Sequence, residues 1–417
     1  MNRRSLVDLT LSQAAPLVGS FLVTFGSAAA LGPSGRGELA FITSTCTVAG
    51  AILFASLHVG TTAAQTSGTA GLRAGTRLAS SIIGTVVAVA LVAALLLPEG
   101  LGGLGRTGHV ALVAGSGLVA VNLYVLRSVQ GLGQHRAFRN AWAIQSLAYL
   151  VLGLPAAIVT RQAGPVVASW LVALVLSTAY AIRTYASLVR QGPRQPADRR
   201  AVLRTSLLAH VGLVGNQLLY RADVVVLGLL AASREVGIYS VAIAVAGLIW
   251  IVAEAFSLAA FSRGEADAGT DLHARDRRLL VVNLGLSVGA AVLIALASVT
   301  LLGRVLPEYA DAVPLILVLL PGVVAQGPAR VAFSSLLRRV DTRPPMWVGL
   351  VSLTLAVVYV PCAARWGAMG VAVASTVVYL VQAAFVLWLW RRAGSADLGS
   401  GSRPFDPPAR GAESAVA

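Results

Sequence analysis

The sequence contains no lysine, and charged residues of any kind are scarce. Of the 417 residues, 12% are charged and 57% are hydrophobic, whereas about 25% of the residues in a soluble domain are charged. A Walker A nucleotide-binding loop and a Schiff-base enzyme both require a lysine, so neither class fits this chain. Only two cysteines occur, Cys46 and Cys362, and their apolar surroundings do not indicate a disulfide framework. The composition instead predicts an all-α polytopic membrane protein.

Long apolar runs divide the chain into segments that can each cross a bilayer. A transmembrane helix needs about 20 mainly apolar residues, and the sequence predicts twelve such helices. They cover residues 9–31, 39–60, 78–97, 109–128, 141–160, 165–188, 205–231, 236–262, 279–303, 312–337, 344–363 and 367–390.

The distribution of arginine predicts how these spans are oriented. All 32 basic residues are arginines, and placing the N-terminus inside puts 24 of them on the cytoplasmic side and 6 on the opposite side. Cytoplasmic loops carry the basic excess in membrane proteins, so we expect a cytoplasmic-membrane protein with both termini in the cytoplasm. Residues 1–31 also have the pattern of a cleavable secretory signal, but the polar Asp8 and Gln13 favour a retained helix.

The most basic linker separates two groups of six predicted spans. The predicted units are an N-terminal six-helix bundle (1–188), a basic cytoplasmic linker (189–204), a C-terminal six-helix bundle (205–392) and a disordered cytoplasmic tail (393–417). An even number of spans in each half favours a parallel repeat around a central cavity. Pro155 and Gly164 recur at the spacing of Pro361 and Gly370, as a trace of such a repeat would.

The seventh span carries both an arginine and an aspartate inside its predicted membrane segment. At 100° per residue, one arc of this helix collects His210, Asn216, Gln217, Tyr220, Arg221 and Asp223. A charge near the bilayer centre costs about 2.5 to 3.5 kcal/mol, so such a face normally lines water or pairs with protein. The arc therefore predicts a solvated substrate cavity. A structural ion pair or an arginine that snorkels outwards is the alternative.

Further polar residues inside other predicted spans are candidates to complete this cavity. They are Asn122, Glu254, Gln326 and Arg330. Arg330 lies near the predicted cytoplasmic end of its span, so snorkelling to the interface accounts for it equally well. The pattern predicts no catalytic residue, no metal site and no cofactor, because the acidic residues around His273 are interleaved with arginines in a solvated loop. No nucleic-acid partner is expected, since no soluble basic domain is present.

Two segments resemble bacterial polysaccharide-biosynthesis membrane proteins, the O-antigen-type flippases of the multidrug and oligosaccharidyl-lipid exporter superfamily. One is the turn Leu31-Gly32-Pro33-Ser34-Gly35-Arg36-Gly37-Glu38-Leu39-Ala40. The other is the stretch Asn216-Gln217-Leu218-Leu219-Tyr220-Arg221-Ala222-Asp223, together with Val236-Gly237-Ile238-Tyr239-Ser240. The resemblance implies two six-helix bundles around a central cavity lined by spans 1, 2, 7 and 8.

The resemblance also implies a cargo and roles for the polar residues. The cargo would be an undecaprenyl-pyrophosphate-linked oligosaccharide that crosses from the cytoplasmic to the outer leaflet, and other polysaccharide-assembly membrane proteins would be partners. Arginine suits a pyrophosphate because its planar fork binds paired oxygens. Arg221 is therefore the first anchor candidate and Arg330 the second. The residues expected to bind the rest of the cargo are Tyr220, Gln217, Asn216, Gln326 and Asn122.

Two other functions remain open at this point. A cation-coupled multidrug exporter of the same superfamily would use Asp223 and Glu254 as proton or sodium sites. A membrane-embedded glycan polymerase or transferase is disfavoured, because the longest predicted external loop has only about a dozen residues. Related lipid II flippases have fourteen spans, so the twelve predicted here disfavour lipid II as the cargo.

Overall fold

The structure is a computed structural model that describes residues 3–54, 56–66, 72–96, 106–191, 199–262, 272–337 and 343–399. Within these ranges every regular element is helical. A bilayer offers no water to backbone N–H and C=O groups, so a spanning segment must satisfy them within itself, as a helix does. The described part of the chain is thus all-helical, as a multi-pass membrane protein requires.

The described residues of the first half form six helices. These are α1 (Arg3–Leu53), α2 (Leu57–Thr66), α3 (Leu72–Leu96), α4 (Arg106–Gly131), α5 (His135–Thr160) and α6 (Ala163–Gln191). Gly32 interrupts α1 with non-helical angles, φ 65° and ψ 179°. Only glycine adopts a positive φ without a steric penalty, and this break falls between the first two predicted spans. The axes of α1 and α2 differ by 43°.

The second half is also helical but more interrupted. Its helices are α7 (Arg199–Leu230), α8 (Ser233–Ala246), α9 (Ile249–Ser262), α10 (Leu272–Ala297), α11 (Gly303–Val305), α12 (Ala312–Leu337), α13 (Arg343–Ala356) and α14 (Tyr359–Gly399). A π-helical turn covers Ser298–Leu302 and a 3₁₀ turn covers Pro307–Tyr309. Gly367 interrupts α14 at φ 53° and ψ −140°, between the last two predicted spans.

Eight helices in the described residues are long and apolar enough to cross a membrane, and the bent pair of α1 and α2 adds a ninth. The prediction of many apolar spans is therefore confirmed, while the count of twelve stays a prediction. The structure differs from the predicted spans at two positions. Helices α1 and α14 each continue through a point where one predicted span ends and the next begins. Gly32 and Gly367 mark these positions.

The helices pack in a similar order within each half. In the first half α1 packs on α4 and α5, and α4 packs on α3 and α6. In the second half α7 packs on α13, while α12 packs on α9, α10 and α14. Pro155 and Pro361 both lie in the helix that precedes a break, and Gly164 and Gly370 lie in the helix that follows it. This order is what a repeat would produce, although the two-bundle repeat itself stays a prediction.

The predicted domain boundaries coincide with helical segments. Helix α6 continues to Gln191 and α7 begins at Arg199, so the predicted linker 189–204 is helical at both ends, and residues 192–198 lie outside the described part. Helix α14 extends to Gly399. The predicted tail therefore begins as a helix, and its remainder, 400–417, also lies outside the described residues.

The two halves meet along α1, α2, α7 and α8. A close backbone contact in this interface lies between Gly37 on α1 and Gly237 on α8. An ideal Cβ on Gly237 would lie 2.7 Å from the carbonyl carbon of Pro33 and 3.1 Å from the backbone nitrogen of Gly37. Only the absence of side chains at these two positions lets the helices pack backbone against backbone.

Candidate functional site

A polar cavity of about 390 Å³ lies within the first half of the chain and is completed by one residue of the second half. Helices α1, α4, α5 and α6 supply most of its wall, and Arg221 enters from α7. Its lining consists of Thr24, Arg36, Thr43, Thr47, Val119, Asn122, Leu123, Trp142, Gln145, Ser146, Tyr149, Trp170, Leu174 and Arg221. This described lining contains two arginines and no acidic residue, so the cavity carries a net positive charge.

Arg36 is the residue of this cavity that the sequence analysis did not select. It lies four residues after the Gly32 break and is half-buried. Its Nη1 donates a hydrogen bond to the Ser27 hydroxyl at 3.2 Å, while its Nε is buried without a hydrogen-bond partner. A buried guanidinium N–H that lacks an acceptor is costly. An anionic ligand in the cavity would supply that acceptor.

Arg221 approaches Arg36 from the other half of the chain. It is exposed, and both arginines line the same cavity. Two like charges in one cavity raise its energy unless a counter-charge is present. The arrangement therefore suits a ligand with more than one negative oxygen.

The rest of the lining offers aromatic rings and uncharged hydrogen-bonding groups. Trp142, Tyr149 and Trp170 provide the rings, and Gln145 and Ser146 provide polar side chains. Ligand pockets commonly combine aromatic walls with a few polar groups that fix orientation. Such a surface can receive both the C–H faces and the hydroxyl groups of a sugar.

Asn122 lines the cavity, where the sequence analysis expected it, and is buried. Its Nδ2 donates to the Thr178 hydroxyl of α6 at 2.8 Å, and that hydroxyl donates to the Leu174 carbonyl at 2.7 Å. The amide is thereby fixed between α4 and α6.

Arg330, Tyr220 and Gln326 form a separate cluster in the second half. Arg330 Nε donates to the Tyr220 hydroxyl at 3.2 Å, and Nη1 lies 3.4 Å from Oε2 of Glu254. Its guanidinium carbon is 4.5 Å from the centre of the Tyr220 ring and 4.6 Å from that of Trp250. A cation held between two aromatic rings and a carboxylate is already compensated. This charge is therefore less available to a ligand than that of Arg36.

Gln326 extends the same cluster into the core. It is buried, accepts a hydrogen bond from the Tyr220 hydroxyl at 3.4 Å, and donates from Nε2 to Gln382 Oε1 at 2.7 Å and to the Tyr379 carbonyl at 2.9 Å. Its amide group is thus engaged on both sides. Glu254 is exposed beside this cluster.

Asp223 lies in a third environment, the core of the second half. It is fully buried, and its carboxylate accepts hydrogen bonds from the Tyr239 hydroxyl at 2.6 Å and from the backbone N–H of Val224 at 2.7 Å. The Tyr239 hydroxyl is also 3.0 Å from the Ser375 hydroxyl. No arginine pairs with this carboxylate among the described ion pairs.

The polar arc of α7 is thus divided among different neighbours. His210 Nδ1 is 3.1 Å from the Ser56 hydroxyl in the first half. Asn216 and Gln217 are half-buried and are absent from the described lining of the cavity. The division has a geometric cause: α7 packs on α1, α2, α8, α13 and α14, so an arc about 160° wide faces several helices. Arg221 and Asp223 lie at its two edges and point to opposite halves.

Comparison with solved structures identifies transporters of one superfamily. Lipid II flippase MurJ in an inward closed conformation is similar over 92% of this chain and 87% of its own, with a TM-score of 0.72 and 14% identity. A multidrug resistance MATE family transporter of the MOP superfamily, inward-facing, is similar over 92% and 96% of the two chains, with a TM-score of 0.67 and 15% identity.

A third similar structure is a MOP superfamily transporter from Pyrococcus furiosus Vc1 (DSM3638) described as having a binding pocket of reverse polarity. It covers 94% of this chain and 95% of its own, with a TM-score of 0.57 and 14% identity. No family model matches the sequence. No curated protein matches it either. The chain therefore has the fold of MOP superfamily transporters, and these fold neighbours are transporters and flippases, not enzymes.

Proposed function

We propose that this protein is a flippase that translocates an undecaprenyl-pyrophosphate-linked oligosaccharide from the cytoplasmic to the outer leaflet for cell-surface polysaccharide biosynthesis. The observation that carries the proposal is the charge of the cavity: Arg36 and Arg221 line it, and its described lining contains no carboxylate. A diphosphate presents several negative oxygens in a small volume, which matches two neighbouring guanidinium groups.

The aromatic and polar groups of the cavity support the proposal that the cargo carries a glycan. Trp142, Tyr149 and Trp170 lie in the same wall region as Gln145 and Ser146. A sugar that follows the diphosphate into the cavity would meet both kinds of surface. The polyprenyl chain would remain in lipid, so only the polar head needs a protected path.

The movement that this fold offers is alternating access. Arg36 belongs to one half and Arg221 to the other, and the halves meet along α1, α2, α7 and α8. Rocking of one half against the other would change the distance between the two arginines and the side on which the cavity opens. The predicted orientation places the loading side in the cytoplasm.

A cation-coupled multidrug exporter is the second candidate function. The similarity to MATE transporters and the buried carboxylate of Asp223 favour it. A cationic drug would, however, be repelled by the two arginines of the cavity. Both candidate coupling residues lie outside the cavity lining, Asp223 in the core and Glu254 beside Arg330. Ion coupling does not require a residue in the cargo cavity. Asp223 and Glu254 are therefore candidate coupling sites for the flippase as well.

The test is complementation of a deletion strain by single-charge variants. In Arg36→Gln and Arg221→Gln, each lost charge-assisted interaction of about 1.5 to 3 kcal/mol lowers flipping by about 10- to 150-fold. Arg304→Gln is the matched control, because Arg304 is exposed outside the cavity. The readout is the amount of lipid-linked glycan on each leaflet at equal expression.

We expect the deletion strain to accumulate lipid-linked glycan on the cytoplasmic leaflet. Wild type and Arg304→Gln should reverse this accumulation, whereas the two cavity variants should not. Unchanged glycan export in the deletion strain, together with increased sensitivity to cationic drugs, would contradict the flippase and support the exporter.

A further inference from the structure

A second, larger recess lies on the other side of α4 and α6 from the polar cavity. It has a volume of about 930 Å³ and is formed by α3, α4 and α6, and we call it the α3–α4–α6 groove. Most of its wall is aliphatic, with Ile83, Val87 and Val121 as examples, and Val175 and Ile182 on its α6 side are exposed. It therefore offers an apolar channel on the surface of the protein.

The polar residues of the groove are concentrated at one end. Thr76 and Ser80 lie near the start of α3, and Tyr185 and Arg190 lie near the end of α6. The Thr76 and Tyr185 hydroxyls are 2.8 Å apart. Arg190 is exposed at this end. The groove is thus amphipathic along its length, with a cation at one end and hydrocarbon at the other.

The same end carries further positive charge. Arg73 donates from Nε to the Val189 carbonyl at 3.0 Å and from Nη2 to the Arg190 carbonyl at 3.1 Å, which holds α3 against the end of α6. Arg77, one turn later, is exposed. The arginine distribution predicts that this end faces the cytoplasm. Basic pockets between helices on that side of a membrane favour anionic lipid headgroups.

The length of the groove fits one lipid chain. From Val175 to Arg190 the groove follows α6 for about 22 Å, at 1.5 Å per residue, and half of a bilayer core is about 15 Å thick. A chain anchored by its headgroup at Arg190 would therefore run past the midplane within the groove. Gly84 leaves room for it, because a Cβ on this residue would meet nothing within 4 Å.

Among the residues that the structure describes, a smaller apolar recess lacks the cationic end that the groove has. It has a volume of about 220 Å³ and is lined by residues of α1, α8 and α10 and by residues 298–306, including Phe25, Val245 and Ile294. Its described lining contains no charged residue. An apolar surface alone is expected wherever a membrane protein meets lipid, whereas a cationic end adds headgroup selectivity.

We infer that the α3–α4–α6 groove binds one hydrocarbon chain of an anionic phospholipid of the cytoplasmic leaflet, with the lipid phosphate at Arg190. This site is separate from the cargo cavity and does not depend on the proposed cargo. The lipid would fill the space that α3, α4 and α6 leave open between them.

Native mass spectrometry of the purified full chain tests this assignment. Dioleoyl phosphatidylglycerol and dioleoyl phosphatidylcholine are added at equal concentration, and the bound fraction of each is measured. Wild type is expected to retain the phosphatidylglycerol at least tenfold more than the phosphatidylcholine. Arg190→Gln is expected to reduce this preference severalfold, because it removes the headgroup partner and leaves the apolar channel intact.

Filling the groove separates chain binding from surface charge. Gly84→Leu and Ala179→Leu place an isobutyl group inside it and are expected to lower the binding of both lipids at least fivefold. Gly285→Leu is the control, because its Cβ would also meet nothing within 4 Å but lies on α10. Thermal unfolding of each variant verifies that it is folded, and Ala179→Leu replaces Gly84→Leu if the latter does not fold.

Three results would overturn the inference. The first is that wild type retains the two lipids equally. The second is that the groove-filling variants bind as much lipid as Gly285→Leu. The third is that the lipid displaced by filling the groove is an isoprenoid lipid.

Discussion

Gly37 and Gly237 bring α1 and α8 together beside the cavity, and replacing either of them should open this contact. An ideal Cβ on Gly37 would lie 2.7 Å from the carbonyl carbon of Ser233 and 2.9 Å from the backbone nitrogen of Gly237. Carbon atoms in favourable contact are about 3.5 to 4.0 Å apart. The carbonyl oxygen of Ser233 lies nearer still, so Gly37→Ala requires the two helices to separate by at least about 1 Å.

The cost of that separation can be bounded. The obstructing atoms belong to the backbone of α8, so no side-chain rotation relieves the clash, and overpacking of this kind costs typically 1 to 3 kcal/mol. A state in which α1 and α8 have moved apart does not incur this cost. The equilibrium between the two states should shift towards the open one by about 5- to 150-fold. Arg36 precedes Gly37, so this opening exposes the cavity at the end predicted to be external.

Thiol labelling from outside intact cells measures the shift. Thr43 lines the cavity, and Thr43→Cys in a background with Cys46 and Cys362 changed to alanine provides a single reporter. We expect Gly37→Ala to raise the initial rate of labelling by a membrane-impermeant maleimide at least fivefold. Gly164→Ala is the control, because its Cβ would meet nothing within 4 Å. Equal rates in the two variants would refute the idea that the glycine contact closes the cavity.

Two further predictions concern orientation and coupling. Ser34→Cys should be labelled from outside intact cells and Gln195→Cys only after permeabilisation, because the arginine asymmetry places these residues on opposite sides; ready external labelling of Gln195→Cys would reverse the assigned topology. Asp223→Asn should leave insertion intact but make transport in proteoliposomes insensitive to an imposed proton or sodium gradient, since the buried carboxylate that accepts a hydrogen bond from Tyr239 would be lost. A gradient dependence equal to that of wild type would remove Asp223 as a coupling residue.

Apolar runs and glycine positions carried most of the information about the fold. Hydropathy predicted many apolar spans because a bilayer requires about 20 apolar residues per crossing, and eight or nine such spans occur in the described residues. Gly32 and Gly367 separate predicted spans, and both have a positive φ that favours glycine. The sequence did not predict which helices pack against each other. Small residues allow close contact with many partners, so their pattern does not specify which helices meet.

The candidate site was predictable only in part. Arg221 and Asn122 were selected because polar side chains inside a span need a reason to be there, and both line the cavity. Arg36 was missed because it lies between two predicted spans, where an arginine needs no special environment. Its position in the turn that resembles the flippase family was the available signal. Arg330 was the second anchor candidate because it lies near the predicted cytoplasmic end of its span, and in the structure its contacts with Trp250 and Glu254 distinguish it from Arg221.

The hydrogen bond between Asn122 and Thr178 restricts how a cargo can leave the cavity. Asn122 lines the polar cavity and Thr178 lines the apolar groove, so this bond links the walls of the two recesses. Separating α4 from α6 there would leave a buried amide without its partner, at a cost of about 1 to 3 kcal/mol, and would open polar space to hydrocarbon. We therefore expect these two helices to move as one wall. Under the proposed function, a lipid-linked cargo would enter and leave sideways through another seam, and the seam between the two halves of the chain is the one that rocking would open.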